Sequence, residues 1–340
     1  MPKVSFEDFL EQISKRKEKV IEYAKKTIDS KVDKSLPLHD ACAHYFTAPG
    51  KGLRPAIMII IAEAYGAKQD HILPAATAIE MVHTMSLVHD DIMDNDEVRR
   101  GIPAVHVKWD RNLAILAGDC MLALAYRLLQ ETLAPDHVKV WLTRKLTDAF
   151  ILLCEGQQKD IGFTEKDPLE LSIEDVLDMQ RKKTGELFIA AVQAGVVLGN
   201  NDTCPKDFES LTRYAEKAGT AFQIQDDILG LIQDTDKLGK PQGSDIREGK
   251  RTLIAIHAFR NANEEQLAKL KQAFGNPNAT EEEIKEFMDI LEELGSIEYA
   301  KKIAVEMAKE AINALEESSI PSPYREYLKV FADYLVNRQF

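Results

Sequence analysis

The sequence predicts an all-α protein, and three observations predict it. Apolar residues recur at helical spacing over long segments, alternating β-branched runs are nearly absent, and helix-start signals stand where apolar segments begin. No Gly/Ser linker, low-complexity block or internal repeat divides the 340 residues, so one domain over 1–340 is expected. Hydrophobic residues at 45% can bury a large core. A net charge of −13 argues against a general nucleic-acid binder, which needs clustered excess Lys and Arg.

The elements follow in chain order. Met1 to Leu10 has no apolar core of a secretory signal, so an intracellular, cytoplasmic chain is expected. Pro49-Gly50 is a break. Pro74 suits the first turn of a helix through Ala75 to Met93. Ser172 with Asp175, and Thr280 with Glu283, have capping-box spacing. The longest uncharged stretch, Leu187 to Asn201, contains Gln193, Gly195 and Gly199 and is too short for a membrane span. Gly239 to Gly249 reads as one irregular loop. Asn276-Pro277 and the segment Ser319 to Pro323 are breaks, the latter setting off a helix from Tyr324 to about Asn337. Cys42, Cys120, Cys154 and Cys204 are far apart in sequence and lack CxxC spacing, which reads as scattered reduced thiols.

The strongest local signal is His89-Asp90-Asp91-Ile92-Met93-Asp94. On a helix, Asp90 and Asp94 lie one turn apart on one face. Like charges at that spacing destabilise the helix, and Asp near its C-terminus opposes the macrodipole. A divalent cation resolves both, and oxygen-only ligands point to magnesium, which binds one or two carboxylates plus substrate phosphates. A second pair, Asp226-Asp227, ends the apolar run Ala221 to Leu229. Two such pairs far apart in sequence suit a metal site inside a helical bundle.

Basic groups adjoin these acids. Lys51 and Arg54 follow Gly50, Arg99-Arg100-Gly101 follows the first cluster, and Lys183-Thr184-Gly185 and the loop with Lys240, Asp245 and Lys250 add more. In a net-acidic chain, cations beside carboxylates suggest phosphate sites beside metals. His83 lies on the helical stripe Ile79, His83, Ser86, Asp90, Asp94; it reads either as a buried structural imidazole or as part of such a site.

Taken in order, these residues resemble the trans-polyprenyl (isoprenyl) diphosphate synthases, in particular the archaeal-like geranylgeranyl type. The resemblance rests on Gly50-Lys51-x-x-Arg54-Pro55, Glu80-x-x-His83, His89-Asp90-Asp91-x-x-Asp94, Arg99-Arg100-Gly101, Gly156-Gln157-x-x-Asp160, Lys183-Thr184, Phe222-Gln223-x-x-Asp226-Asp227, and Gly239-Lys240 through Asp245 to Lys250, across about residues 40 to 255. It implies a multi-helix bundle around a deep central cavity, usually a homodimer without stable membrane insertion. The implied reaction condenses isopentenyl diphosphate head-to-tail with an allylic diphosphate (dimethylallyl, geranyl or farnesyl). Asp90, Asp94 and Asp226 would ligate three magnesium ions on the allylic diphosphate, with Asp227 and Asp245 acting through water. Arg99, Lys183 and Lys240 would bind that diphosphate, and Lys250 belongs to the same substrate-binding set. Lys51, Arg54, His83 and Arg100 would hold isopentenyl diphosphate, and Thr184 and Gln223 would flank the reacting carbons.

Two positions depart from the family pattern: Gly230 stands where a third Asp is common, and Pro49 where another Gly is common. Product length would be set below Asp90. Met85 and Ser86 lie about 6 to 8 Å beneath the carboxylates and Val82 about 12 Å. Fifteen-carbon synthases tend to have aromatics at the first two positions, and this sequence has none there. Flexible Met85 can yield to a longer tail, so geranylgeranyl diphosphate is the expected product, with twenty-five carbons competing. Three other readings fit less of the chain. A terpene cyclase leaves Lys51 and Arg54 without a role. A helical phosphohydrolase built on His89-Asp90 needs His44, His83 or His106 as further ligands. A non-catalytic partner subunit usually loses acidic motif residues that this chain keeps.

Overall fold

The computed structural model describes residues 4–232 and 243–337. Apart from a two-residue hairpin, the regular elements among the described residues are helical, as the periodicity predicts. In chain order they are α1 (Phe6–Lys31), α2 (Pro37–Ala43), α3 (Leu53–Ala64), α4 (Gln69–Asp94), the antiparallel pair β1 (Val98–Arg99) and β2 (Ile102–Pro103), α5 (Val105–Lys108), α6 (Arg111–Glu131) and α7 (Asp136–Thr164). Then come α8 (Ile173–Gln180), a π-helical turn at Arg181–Gly185, α9 (Glu186–Asn200), α10 (Phe208–Ile232) and the short α11 (Ser244–Arg247). The chain continues through α12 (Leu253–Asn261), α13 (Glu264–Ala273), α14 (Glu281–Glu293), α15 (Ser296–Glu316) and α16 (Tyr324–Asn337). Both capping boxes form: Ser172 with Asp175 starts α8, and Thr280 with Glu283 starts α14.

Contacts group the chain into two compact units. The first comprises Met1–Phe150, Leu187–Thr212 and Leu315–Val330. Its centre is α3 and α4. Pro55 to Ala62 are all buried, so α3 has no polar face and forms a core helix. α4 is buried from Pro74 through Val82 and again at Thr84, Met85, Ser86 and Val88, before ending in its acidic turn. The uncharged stretch beginning at Leu187 is α9, buried to Leu198; its lack of charge reflects this core. Gly195 is required there, because a Cβ would lie 2.6 Å from the Met58 carbonyl of α3.

The second unit comprises Ile151–Glu186, Arg213–Ala314 and Phe331–Phe340. Ile224 and Ile228 of α10 pack with Leu253 and Phe259 of α12, Phe287 of α14 and Ala300 of α15. Phe274 stacks on Phe287 at 5.7 Å, and the Arg251 guanidinium lies 4.9 Å above the Phe274 ring.

Two local expectations need correction. α4 begins at Gln69, so Pro74 lies inside it, beyond its first turn. Pro has no N–H to donate to the Asp70 carbonyl one turn earlier, and nearby the His71 carbonyl accepts from the Leu133 N–H at 3.1 Å. In the segment expected as irregular, residues 239–242 lie outside the described residues. Ser244–Arg247 forms a helical turn between Gly243 and Gly249, both at positive φ. Cys42, Cys120, Cys154 and Cys204 are all reduced thiols, as the spacing predicts, and the Cys42 thiol lies 3.7 Å from the Ala117 carbonyl.

Candidate functional site

In the first unit, the site grows from the end of α4. Asp90 is half-buried and Asp94 exposed, one helical turn apart as predicted. Asp91, between them, points elsewhere. It is fully buried, accepts from Arg99 Nε at 2.7 Å and from the Tyr45 hydroxyl, and also pairs with Arg99 Nη2. Burial pushes its carboxyl upward, opposed by Arg99 and Tyr45. Arg99 also bonds Asp96 at 3.0 Å, so this expected diphosphate ligand is already engaged by two carboxylates.

Beside these carboxylates lies a basic pocket. Gly52 caps α3 at φ +58°, with the Lys17 stem of α1 packed where a Cβ would sit. At Gly50 a Cβ would come within 2.6 Å of the Arg100 guanidinium, so glycine there leaves room for that side chain. Arg100 occupies the turn between β1 and β2 at φ +54°, a left-handed conformation uncommon for a non-glycine residue. Lys51 is exposed, and Arg54 Nη1 lies 3.5 Å from His83 Nε2. Burial, then Arg54, Arg100 and Arg99, hold the imidazole well below its ordinary range, so His83 is neutral. Val82, Met85 and Ser86 are buried beneath the carboxylates. The α4 stripe continues to Ile79 and Ala75, which line a small cavity with Met58, Leu142 and Ala194.

In the second unit, Asp226, Asp227 and Gln223 share the last turns of α10. Asp227 is held by Gln180 Nε2 at 2.6 Å and Gln223 Nε2 at 3.0 Å. Burial pushes its carboxyl up to about 8, eased by Gln223 and reinforced by the charges of Asp245 and Asp226. Lys250 Nζ bonds Asp245 at 3.0 Å and Glu248 at 3.3 Å. At Gly230 a Cβ would sit 3.0 Å from Asp245 Oδ2, so the departure from the family pattern lies beside an acidic partner. Lys183 Nζ bonds Asp160 Oδ2 of α7 at 2.5 Å, and the π-helical turn carrying Lys183 and Thr184 lies directly on Gly156. Lys240 lies outside the described residues.

Among the described residues, no group of three or more His, Cys, Asp or Glu side chains converges as a metal cage. Paired carboxylates without a cage fit a magnesium ion that is completed by substrate phosphates and water. The phosphohydrolase reading gains nothing: His44 is bonded to the Pro103 carbonyl at 2.8 Å, and His89 to Ile115 O at 3.3 Å. Sequence reasoning gave no role to Lys17 or Glu80 in the basic pocket. Only the fold brings Lys17 there, while Glu80 stood in a motif, one turn from His83.

One apolar helix was also missed. Among the described residues, α6 alone is long and apolar enough to cross a membrane, yet 44% of its apolar window is buried. Asp119 interrupts it in sequence, which hid it from a search for uncharged runs. Its Ile115 and Leu116 are exposed.

The sequence profile of the polyprenyl synthetase family matches residues 36–291. A short chain isoprenyl diphosphate synthase of Methanocaldococcus jannaschii is 45% identical, over 79% of this chain and 80% of the relative. A geranylgeranyl pyrophosphate synthase of Geoglobus acetivorans is 40% identical over 94% and 98%, and a geranylfarnesyl diphosphate synthase of Aeropyrum pernix 36% over 88% and 94%. The crystal structure of geranylgeranyl pyrophosphate synthetase from Pyrococcus horikoshii superposes with a TM-score of 0.89 at 38% identity, covering 98% of this chain and 99% of that one.

Proposed function

This chain belongs to the polyprenyl synthetase family and is a prenyltransferase, and from that premise we propose that it condenses isopentenyl diphosphate with an allylic diphosphate, releasing pyrophosphate. The observation that carries the reading is the pairing of two unlike features in one unit. Asp90 and Asp94 end a buried apolar helix, and the Lys51, Arg54, His83 and Arg100 pocket lies beside them. Asp90, Asp94 and Asp226, with Asp227 and Asp245 through water, are the proposed holders of three magnesium ions on the allylic diphosphate. Magnesium, when bound, stabilises negative charge on the departing diphosphate.

The chain's own groups do the rest. Lys51, Arg54 and Arg100 hold isopentenyl diphosphate by charge, and neutral His83 accepts or donates a hydrogen bond without adding charge. Lys183, with Arg99, Lys240 and Lys250 in the same set, binds the allylic diphosphate. As the allylic C–O bond breaks, its electron pair leaves with the diphosphate, and these fixed cations stabilise it. The isopentenyl double bond then attacks the allylic carbon, with Thr184 and Gln223 flanking the reacting carbons, and the surplus proton leaves with pyrophosphate. Apolar walls keep water from the cation. In this reading residues 1–340 act as one synthase domain.

Purified protein with magnesium, isopentenyl diphosphate and dimethylallyl, geranyl or farnesyl diphosphate in turn should release pyrophosphate and lengthen the primer. Absence of release with every primer overturns the reading. Geranylgeranyl diphosphate is the proposed product. A twenty-five-carbon diphosphate is the second product in this reading, because flexible Met85 can yield to a longer tail. Met85→Phe fills the floor beneath Asp90, and product chromatography should show a shift to fifteen carbons; an unchanged distribution removes Met85 from length control.

We also propose a cytoplasmic homodimer formed through α6. Its exposed Ile115 and Leu116 continue an apolar helix and suit a second copy. Leu116→Asp places a charge in that contact and should weaken the dimer at least about a hundredfold. Sedimentation velocity reads this directly, and an intact dimer rules out this face.

A further inference from the structure

Glu80 sits on α4 one turn before His83 and is only 6% exposed. Its Oε2 makes no hydrogen bond among the described residues. The charges that act on it are those of Arg100, Arg54 and Lys17, reaching it from the hairpin turn, the start of α3 and α1. Arg99 and neutral His83 lie in the same field, and Asp91 and Tyr45 also act on Arg100. A carboxylate buried without a full set of donors is costly, and nearby cations are what keep it ionised. The same cations are the proposed holders of a diphosphate.

We propose that Glu80 is the buried counter-ion of this pocket and takes up a solvent proton when a diphosphate docks. The inference rests on the reading of Lys51, Arg54, His83 and Arg100 as the isopentenyl diphosphate site. The argument is one of charge balance. With the pocket empty, Glu80 offsets two guanidiniums that would otherwise repel each other, one of them on a turn residue at positive φ. A docked diphosphate brings several negative charges to those guanidiniums and withdraws their support from the carboxylate. Burial favours the neutral carboxyl and the cations oppose it, so a ligand that cancels the cations' field acts in the same direction as burial. The proton comes from bulk water, and no bond other than that O–H forms.

The sign follows from linkage: proton uptake on binding makes affinity rise as pH falls. Above about pH 7 the diphosphate is almost fully ionised, so its own titration contributes little there. The full-length protein is titrated with isopentenyl diphosphate alone, by calorimetry in two buffers of different ionisation enthalpy and over a range of pH. The wild type should take up as much as about one proton per ligand, with affinity falling up to about tenfold per pH unit. Glu80→Gln mimics the neutral carboxyl, so it should take up almost none and bind with pH-independent affinity. A merely structural role for Glu80 would not produce that flat profile. Binding by the wild type without proton uptake overturns the proposal, whether or not the variant folds, as does a variant that keeps the wild-type slope. A wild type that does not bind isopentenyl diphosphate overturns the site reading itself, which is a separate result.

Discussion

Asp90→Asn should lower kcat/KM by about a thousandfold while leaving the melting temperature within a few degrees. Asp90 is half-buried at the end of α4, about 100° around the helix from its neighbour Asp91, which Tyr45 and Arg99 hold. A neutral side chain at position 90 relieves the repulsion between two like charges one turn apart, which favours the helix end. What the variant loses is a ligand that, in the proposed reaction, matters most as charge develops on the departing diphosphate. The loss should therefore appear in kcat as well as in KM, and raising magnesium should recover only part of it. Steady-state kinetics over a magnesium series, with thermal melts alongside, checks this. A variant with near-normal kcat removes Asp90 from the metal set.

Asp90 and Asp94 were legible because their relation is local: four residues along a helix is a fixed geometry. Asp91 was not, although it stands next to them. One residue is a rotation of about 100°, which turns its side chain away from the shared face, and its partner Tyr45 is remote in sequence. Helix type and both capping boxes were readable for the same local reason. The start of α4 was not, because Pro74 looked like a first-turn residue whereas the helix begins earlier, at Gln69. Lys17 reaches the pocket through packing between helices, and no spacing rule in one sequence finds it. The net charge of −13 carried no hint of the basic pocket, since a handful of cations gathered by α1, α3, α4 and the hairpin decides the field there.

Gly156→Ala should be the most damaging single-methyl change, destabilising the protein by about 2 to 4 kcal/mol and lowering kcat/KM by about a hundredfold. A Cβ at this position would lie 2.2 Å from the Lys183 nitrogen, 2.7 Å from its Cα and 2.8 Å from the Lys182 carbonyl carbon. All three atoms are backbone, so no side chain can rotate away. The π-helical turn Arg181–Gly185 must lift from α7, or α7 must bend. Either movement strains the 2.5 Å bond between Lys183 and Asp160, which sits one turn beyond Gly156 on the same helix. Lys183 and Thr184 would then leave their positions together, and a displacement of about 1 Å is enough to cost the proposed reaction two orders of magnitude. Gly162→Ala, on the same helix, is the internal control. Its Cβ would meet only Gln158 Nε2 at 3.9 Å, and alanine is the better helix former, so stability there should hold or rise by up to about 1 kcal/mol. Chemical denaturation and kinetics of the two variants separate the explanations. If both lose stability alike, the cost belongs to α7 as a helix. If only Gly156→Ala suffers, it belongs to the close seating of the turn that carries Lys183.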